Sequence, residues 1–208
     1  MPKTSSLMWR VLLASLMAMS VLGPAWAQQS PTVRIRGSIE AVDGSLLTVK
    51  SREGTEMKVR LTDNVAVFGV AKTTISEIKP GSYIGVSAMP EPDGTQRALA
   101  VQIFPESQRG VAEGFRPWDL RPNSTMTNAT VAETVAGTDG EIILVKYKDG
   151  EKKVLVPADT PIVSFVAGDR SELKPGARII IFSATRKEDG TLEAARVNVG
   201  RDGITPPM

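Results

Sequence analysis

The stretch VRIRGSIEAVDGSLLTVKSREG, Val33 to Gly54, decides the fold class. Val33, Ile35 and Ile39 alternate with Arg34, Arg36, Ser38 and Glu40, the period-two pattern of a strand with one buried face. Asp43-Gly44 and Glu53-Gly54 then punctuate the run, each followed by another apolar-polar alternation. Downstream, Met57, Val59 and Leu61 alternate with Glu56, Lys58 and Arg60. Ile84, Val86 and Ala88 form a further strand pattern, and Leu99, Val101 and Ile103 another.

The same landmarks recur later in the chain. Val42-Asp43-Gly44, Arg52-Glu53-Gly54, Ile78-Lys79-Pro80-Gly81 and Asp93-Gly94-Thr95 are answered in order by Thr138-Asp139-Gly140, Lys148-Asp149-Gly150, Leu173-Lys174-Pro175-Gly176 and Asp189-Gly190-Thr191. Four landmarks in one order indicate an internal duplication, with copies at 33–106 and 127–203. In the second copy Ile179 and Ile181, and Val197 and Val199, carry the matching inward positions, while the register around Lys152–Val156 is left open. Each copy is expected to run as four strands, a short helical turn and two strands. The turn has capping-box spacing at Thr74 and Glu77 and at Asp169 and Glu172, with Ile78 and Leu173 pointing inward. The Asp-Gly pairs at Asp43, Asp93, Asp139, Asp149, Asp189 and Asp202 suit two-residue hairpins with positive φ at both central positions. Each Asp stands alone before its Gly, unlike the several oxygen ligands of a calcium loop. The expected fold is therefore all-β: two tandem small barrels of the oligonucleotide/oligosaccharide-binding type, each with one helical turn.

The amino terminus reads as a secretory signal. Lys3 and Arg10 precede an apolar run, Val11 to Leu22, and Ala25-Trp26-Ala27 offers a cleavage site before Gln28. That run is shorter than the about 20 residues a spanning helix needs, and no later stretch is apolar enough. The expected organisation is a signal peptide over 1–27, a first barrel repeat over 28–106, a structured linker over 107–126 and a second barrel repeat over 127–208. The expected location is periplasmic or secreted. The chain carries 25 basic and 23 acidic side chains, and two of the basic ones lie before Gln28. Cleavage would leave 23 of each, which disfavours an electrostatic grip on nucleic acid. There is no Cys and no His, so thiol nucleophiles, histidine triads and Cys/His zinc sites are excluded.

Residues 107–126, SQRGVAEGFRPWDLRPNSTM, are too rich in large side chains for a free linker. Phe115, Arg116, Trp118, Asp119 and Arg121 form the candidate site. Trp and Arg dominate binding hot spots, and they equally suit packing between barrels; the sequence leaves both readings open. Acids such as Glu40, Asp119 and Glu133 exist, but no spacing brings two together as glycosidic hydrolysis requires. Asn123-Ser124-Thr125 and Asn128-Ala129-Thr130 are nominal glycosylation triplets.

The pattern G-x-I-x-x-V-D-G-x-x-L-T-V from Gly37 to Val49, the Lys-Pro-Gly segments and the closing Asp-Gly-Thr strands resemble family 5666 of domains of unknown function. With GFRPWDL (Gly114–Leu120) and the terminal DGITPPM (Asp202–Met208), the chain resembles a tandem exported proteobacterial group. The resemblance implies export and carries over no catalytic residue. Relatives of this kind are sometimes labelled metal-transport permease components; here any metal link would rest on oxygen ligands. The sequence thus points to a non-enzymatic binding or assembly module of the cell envelope, with no cofactor and no metal site. Its partner would be an envelope protein or glycan rather than nucleic acid. The alternatives are a metal-handling accessory protein and a carboxylate-dependent glycan hydrolase.

Overall fold

The computed structural model describes residues 32–208; the expected signal segment and its cleavage after Ala27 lie outside them. No helix among the described residues is long and apolar enough to cross a membrane. The chain is all-β. The strands are β1 (Thr32–Asp43), β2 (Leu46–Ser51), β3 (Glu56–Lys72), β4 (Tyr83–Pro90), β5 (Gln96–Ile103) and β6 (Gly114–Pro117). They continue with β7 (Thr125–Gly137), β8 (Gly140–Tyr147), β9 (Gly150–Val156), β10 (Ile162–Ala167), β11 (Arg178–Arg186) and β12 (Leu192–Gly200). The only helical pieces among them are three-residue 3₁₀ turns at Ile75–Glu77, Glu106–Gln108 and Arg170–Glu172.

Strand pairing closes a five-stranded barrel. β1 pairs with β2 and β11, β2 with β3, β11 with β12, and β12 returns to β3 in parallel. A second ring runs β4-β5-β9-β8-β7 and back to β4, with a short parallel contact, Gln96↔Val154 and Arg97↔Leu155, between β5 and β9. Each ring wraps its own apolar core. Ile35, Ile39, Leu47, Val49, Ile181 and Val197 are among those filling the first. Ile84, Val86, Val131, Ile143, Val145 and Val154 are among those filling the second.

The expected division of strands between the copies is corrected by this pairing. The barrel takes β1, β2 and β3 from the first copy and β11 and β12 from the second; the other ring takes β7, β8 and β9 with β4 and β5. The last two strands of residues 33–106, β4 and β5, thus pair within the ring of β7 to β9, and the last two of residues 127–203, β11 and β12, within the barrel of β1 to β3. Ile78 and Leu173 accordingly are buried, each in the ring led by the other copy's opening strands. The expected third and fourth strands of the first copy run on as one 17-residue strand, and β12 follows it from Val59 to Val70. In the second copy Pro157 and Pro161 fall in the gap between β9 and β10, since proline lacks the N–H a ladder needs.

β10 lies antiparallel to the far half of β3 and parallel to β5, joining the rings. Its register is self-symmetric. Phe165 pairs with Val70, 95 residues apart, the offset of Lys174 from Lys79. The flanking pairs Val163↔Lys72 and Ala167↔Phe68 exchange under the same offset. A pseudo-twofold axis therefore passes through the Val70–Phe165 pair.

Three local expectations change. Leu99 does not enter the core: β4 and β5 slip between Ser87↔Ala100 and Ala88↔Ala98, so Leu99 is the bulged residue and Ala98 and Val101 face inward. Positive φ at both members of an Asp-Gly pair occurs only at Asp202-Gly203. At Asp93 and Asp189 the aspartate instead accepts hydrogen bonds from the backbone N–H and hydroxyl of Thr95 and Thr191, and the following Gly alone takes positive φ, as a type I turn with a glycine bulge requires. The capping box forms at Asp169 and Glu172, whereas the Thr74 hydroxyl meets Ser76 and caps nothing.

Candidate functional site

Between the rings, over the β3–β10 seam, the walls separate around a cavity of about 330 Å³. Its floor comes from the mixed core of the seam. Phe104 packs against Tyr83 at 5.3 Å and edge-on to Phe165 at 5.7 Å, and Phe165 meets Phe182 at 6.3 Å. Met126 closes the side nearest Trp118.

The segment read as a structured linker builds one rim. β6 adds to β7 with Gly114 opposite Asn128 and Pro117 opposite Thr125. Alternation along β6 turns Arg116 inward and leaves Phe115 40% exposed on the outside, where Lys152 lies 4.5 Å from its ring centre. Ser124 ties the following loop: its Oγ lies 2.7 Å from the Arg121 carbonyl and accepts from the Arg121 N–H, while the Trp118 N–H donates to the Ser124 carbonyl. Trp118 is thereby held against Phe182 of β11, 6.4 Å centre to centre, with the Arg34 guanidinium 3.7 Å over its ring.

Asp119 sits beside the cavity and receives Arg34 at 2.6 Å and Arg36 at 2.7 Å. Burial works against its charge, but hydrogen bonds from Arg36 and Arg34 outweigh that and hold its carboxyl at about 2. Arg36 also donates through Nε to the Met208 carbonyl at 2.6 Å. Arg121 is exposed, away from the cavity lining. Of the five sequence-derived candidates, then, Arg116 and Trp118 line the cavity, Asp119 anchors its rim, and Phe115 and Arg121 face elsewhere.

Sequence reasoning missed the rest of the lining. Gln102 and Asn128 reach over Gly85 of β4, which lies between their strands; a Cβ there would come within 2.7 Å of the Gln102 amide nitrogen. Asn128 donates to the Val111 carbonyl at 3.1 Å and is buried, so the acceptor asparagine of that glycosylation triplet is part of the interior. Arg196, on β12 beside a register slip, stacks 4.4 Å over Phe68 and has no carboxylate partner among the described residues. Burial lowers the pKa of Arg196, and burial followed by the charge of Arg34 lowers that of Arg116. Only the cluster of aromatic and basic residues around Arg116 and Trp118 signalled this place in the sequence. Phe104, Phe165 and Phe182 read as ordinary core.

Several polar atoms of the lining residues are buried without partners among the described residues: Arg34 Nε, Gln102 Oε1, Trp118 Nε1 and Asn128 Oδ1. Such orphans are uncommon in folded proteins. No Asp or Glu belongs to the lining, so the cavity holds no acid-base pair. No cluster of three metal-ligating side chains occurs among the described residues. A broader, polar hollow lies along Glu172, Lys174–Arg178 and Arg201–Ile204, where Glu172 and Arg201 satisfy one another at 2.8 Å.

No family model, curated protein or solved structure matches the chain.

Proposed function

We propose that this protein is an exported, non-enzymatic binding module of the cell envelope, and that the cavity between its two rings is the ligand site. One observation carries the reading: a hollow with aromatic walls whose lining residues hold four buried polar atoms without partners among the described residues. Ligand pockets combine such apolar walls with a few placed polar groups, and a ligand that completes those hydrogen bonds recovers their desolvation cost. The five-stranded, partly parallel closure of each ring supports an oligonucleotide/oligosaccharide-binding-like description. The secretory pattern before Gln28 and the resemblance to family 5666 support export.

The test is a thermal-shift screen of the chain against small acids, alcohols, amines, sugars and divalent metals. A ligand at a hundred times its Kd adds about 2.7 kcal/mol. The expected outcome is a stabilising compound whose effect disappears in Trp118→Ala and Phe182→Ala variants that still melt cooperatively. A shift of the same size in both variants moves the site elsewhere, and a screen without any stabilising compound overturns the reading.

A further inference from the structure

We propose that the cavity selects a compact monoanion, a carboxylate carried on a flat apolar body, with Arg196 and Arg116 as its anion contacts. This rests on the cavity being the ligand site and adds the chemical class of what enters it.

Charge is the first argument. Three guanidinium groups, Arg34, Arg116 and Arg196, line the cavity, and no carboxylate does. Arg34 is answered by Asp119, which Arg36 shares. Among the described residues Arg116 donates only to the Ala112 carbonyl at 2.8 Å, and Arg196 has its guanidinium face against Phe68. Two positive charges in a half-buried hollow therefore lack counter-charges among the described residues. A partly desolvated cation attracts an anion far more strongly than an exposed one, and the guanidinium fork matches a carboxylate through two parallel hydrogen bonds. Desolvation already weighs on both arginines, and a bound anion would relieve it.

Shape and walls give the second. A cavity of about 330 Å³ is at the small end for ligand sites, too small for a sugar chain or a peptide. Phe104, Phe165, Phe182 and Trp118 offer edges and faces to a flat ring. An anion without an apolar body would leave these walls wet, and a neutral ring would leave the arginines unanswered.

The orphan atoms refine the class. Trp118 Nε1 and Arg34 Nε are donors that suit a carboxylate. Gln102 Oε1 and Asn128 Oδ1, on two residues of the lining, are acceptors and suit a hydroxyl on the ligand. A hydroxylated aryl-alkanoate satisfies both.

Isothermal titration calorimetry on the chain separates the possibilities with four probes: 3-(4-hydroxyphenyl)propionate, 3-phenylpropionate, 3-phenylpropanol and acetate. The expected order is the hydroxylated acid, the plain acid, then the alcohol at least tenfold weaker, with acetate producing no measurable heat. Arg196→Gln and Arg116→Gln are expected to weaken the acids at least tenfold while leaving the alcohol unchanged, and Arg196→Lys to keep most of the acid affinity. Equal binding of acid and alcohol, or unchanged acid binding in both glutamine variants, overturns the choice of anion while leaving the cavity as a ligand site. If the arginine variants melt early, the wild-type acid-to-alcohol ratio still decides. Silence from all four probes overturns the proposed class, and only silence across the whole thermal-shift screen overturns the cavity itself.

Discussion

The two rings are built from the same strand pattern, yet one is discontinuous and the other is not. The barrel draws on both ends of the described chain, β1 to β3 and β11 to β12, while the second ring runs uninterrupted from β4 to β9. Its core, from Ile78 to Ile162, is complete within one stretch. Contacts close in sequence form at lower entropic cost, so the second ring is the natural early-folding unit, and the barrel must wait for its closing strands.

The largest effect that could break this contrast is all-or-none. The fragment 73–162 is expected to fold by itself, with a cooperative melt and β-type circular dichroism, and the fragment 33–106 to stay unfolded or associate. A folded monomeric 33–106 would show that each copy can close alone. Next in size are core truncations. Ile181→Ala in the barrel and Ile143→Ala in the second ring, both fully buried, should each cost about 2–5 kcal/mol in denaturant melts; the second should also destabilise the excised fragment. Glycine replacements come third. A Cβ on Gly37 would fall 2.2 Å from the Lys50 carbonyl oxygen, a backbone atom, whereas on Gly85 it meets the Gln102 and Asn128 side chains. Gly37→Ala is therefore expected to cost about 1–3 kcal/mol, and Gly85→Ala less, with a larger loss in ligand affinity.

Two smaller effects sharpen the comparison of the copies. Asp169→Ala should cost about 1 kcal/mol through loss of its cap, while Thr74→Ala should leave the melting temperature nearly unchanged. The Asp119 carboxyl, held at about 2, titrates below its unfolded value of about 3.9. A depressed carboxyl stabilises the fold above the unfolded value and loses that contribution as pH falls toward 2. Wild type should lose more stability than Asp119→Asn between those two values, as followed by urea melts at each pH.

Much of the architecture was readable in the residues. The alternations around Ile35, Val59 and Val86, the repeated turns and the inward Ile78 and Leu173 all depend on local pattern, and local pattern survives folding. Which strands close which ring was not readable. Equivalent strands of the two copies present the same alternation, so closure within a copy and closure between copies satisfy the sequence equally. The unbroken run from Leu61 to Val70 gives β12 a long parallel partner, but no residue in it names that partner. At the site, Arg116, Trp118 and Asp119 announced themselves by composition. Arg196 and Gln102 did not, because each sits where a polar residue on a strand is ordinarily solvated.

The chain leaves the barrel and comes back to it at one place: the Thr73 N–H donates to the Ile162 carbonyl at 3.0 Å, beside the Val163↔Lys72 pair. Everything between enters and leaves through that two-stranded stem, and it is also docked on the barrel through Asp119 with Arg34 and Arg36 and through Trp118 against Phe182. A graft at the stem would therefore need a body of similar end-to-end span that also covers Ile180 and Phe182, or the host barrel would be left with a wet apolar flank.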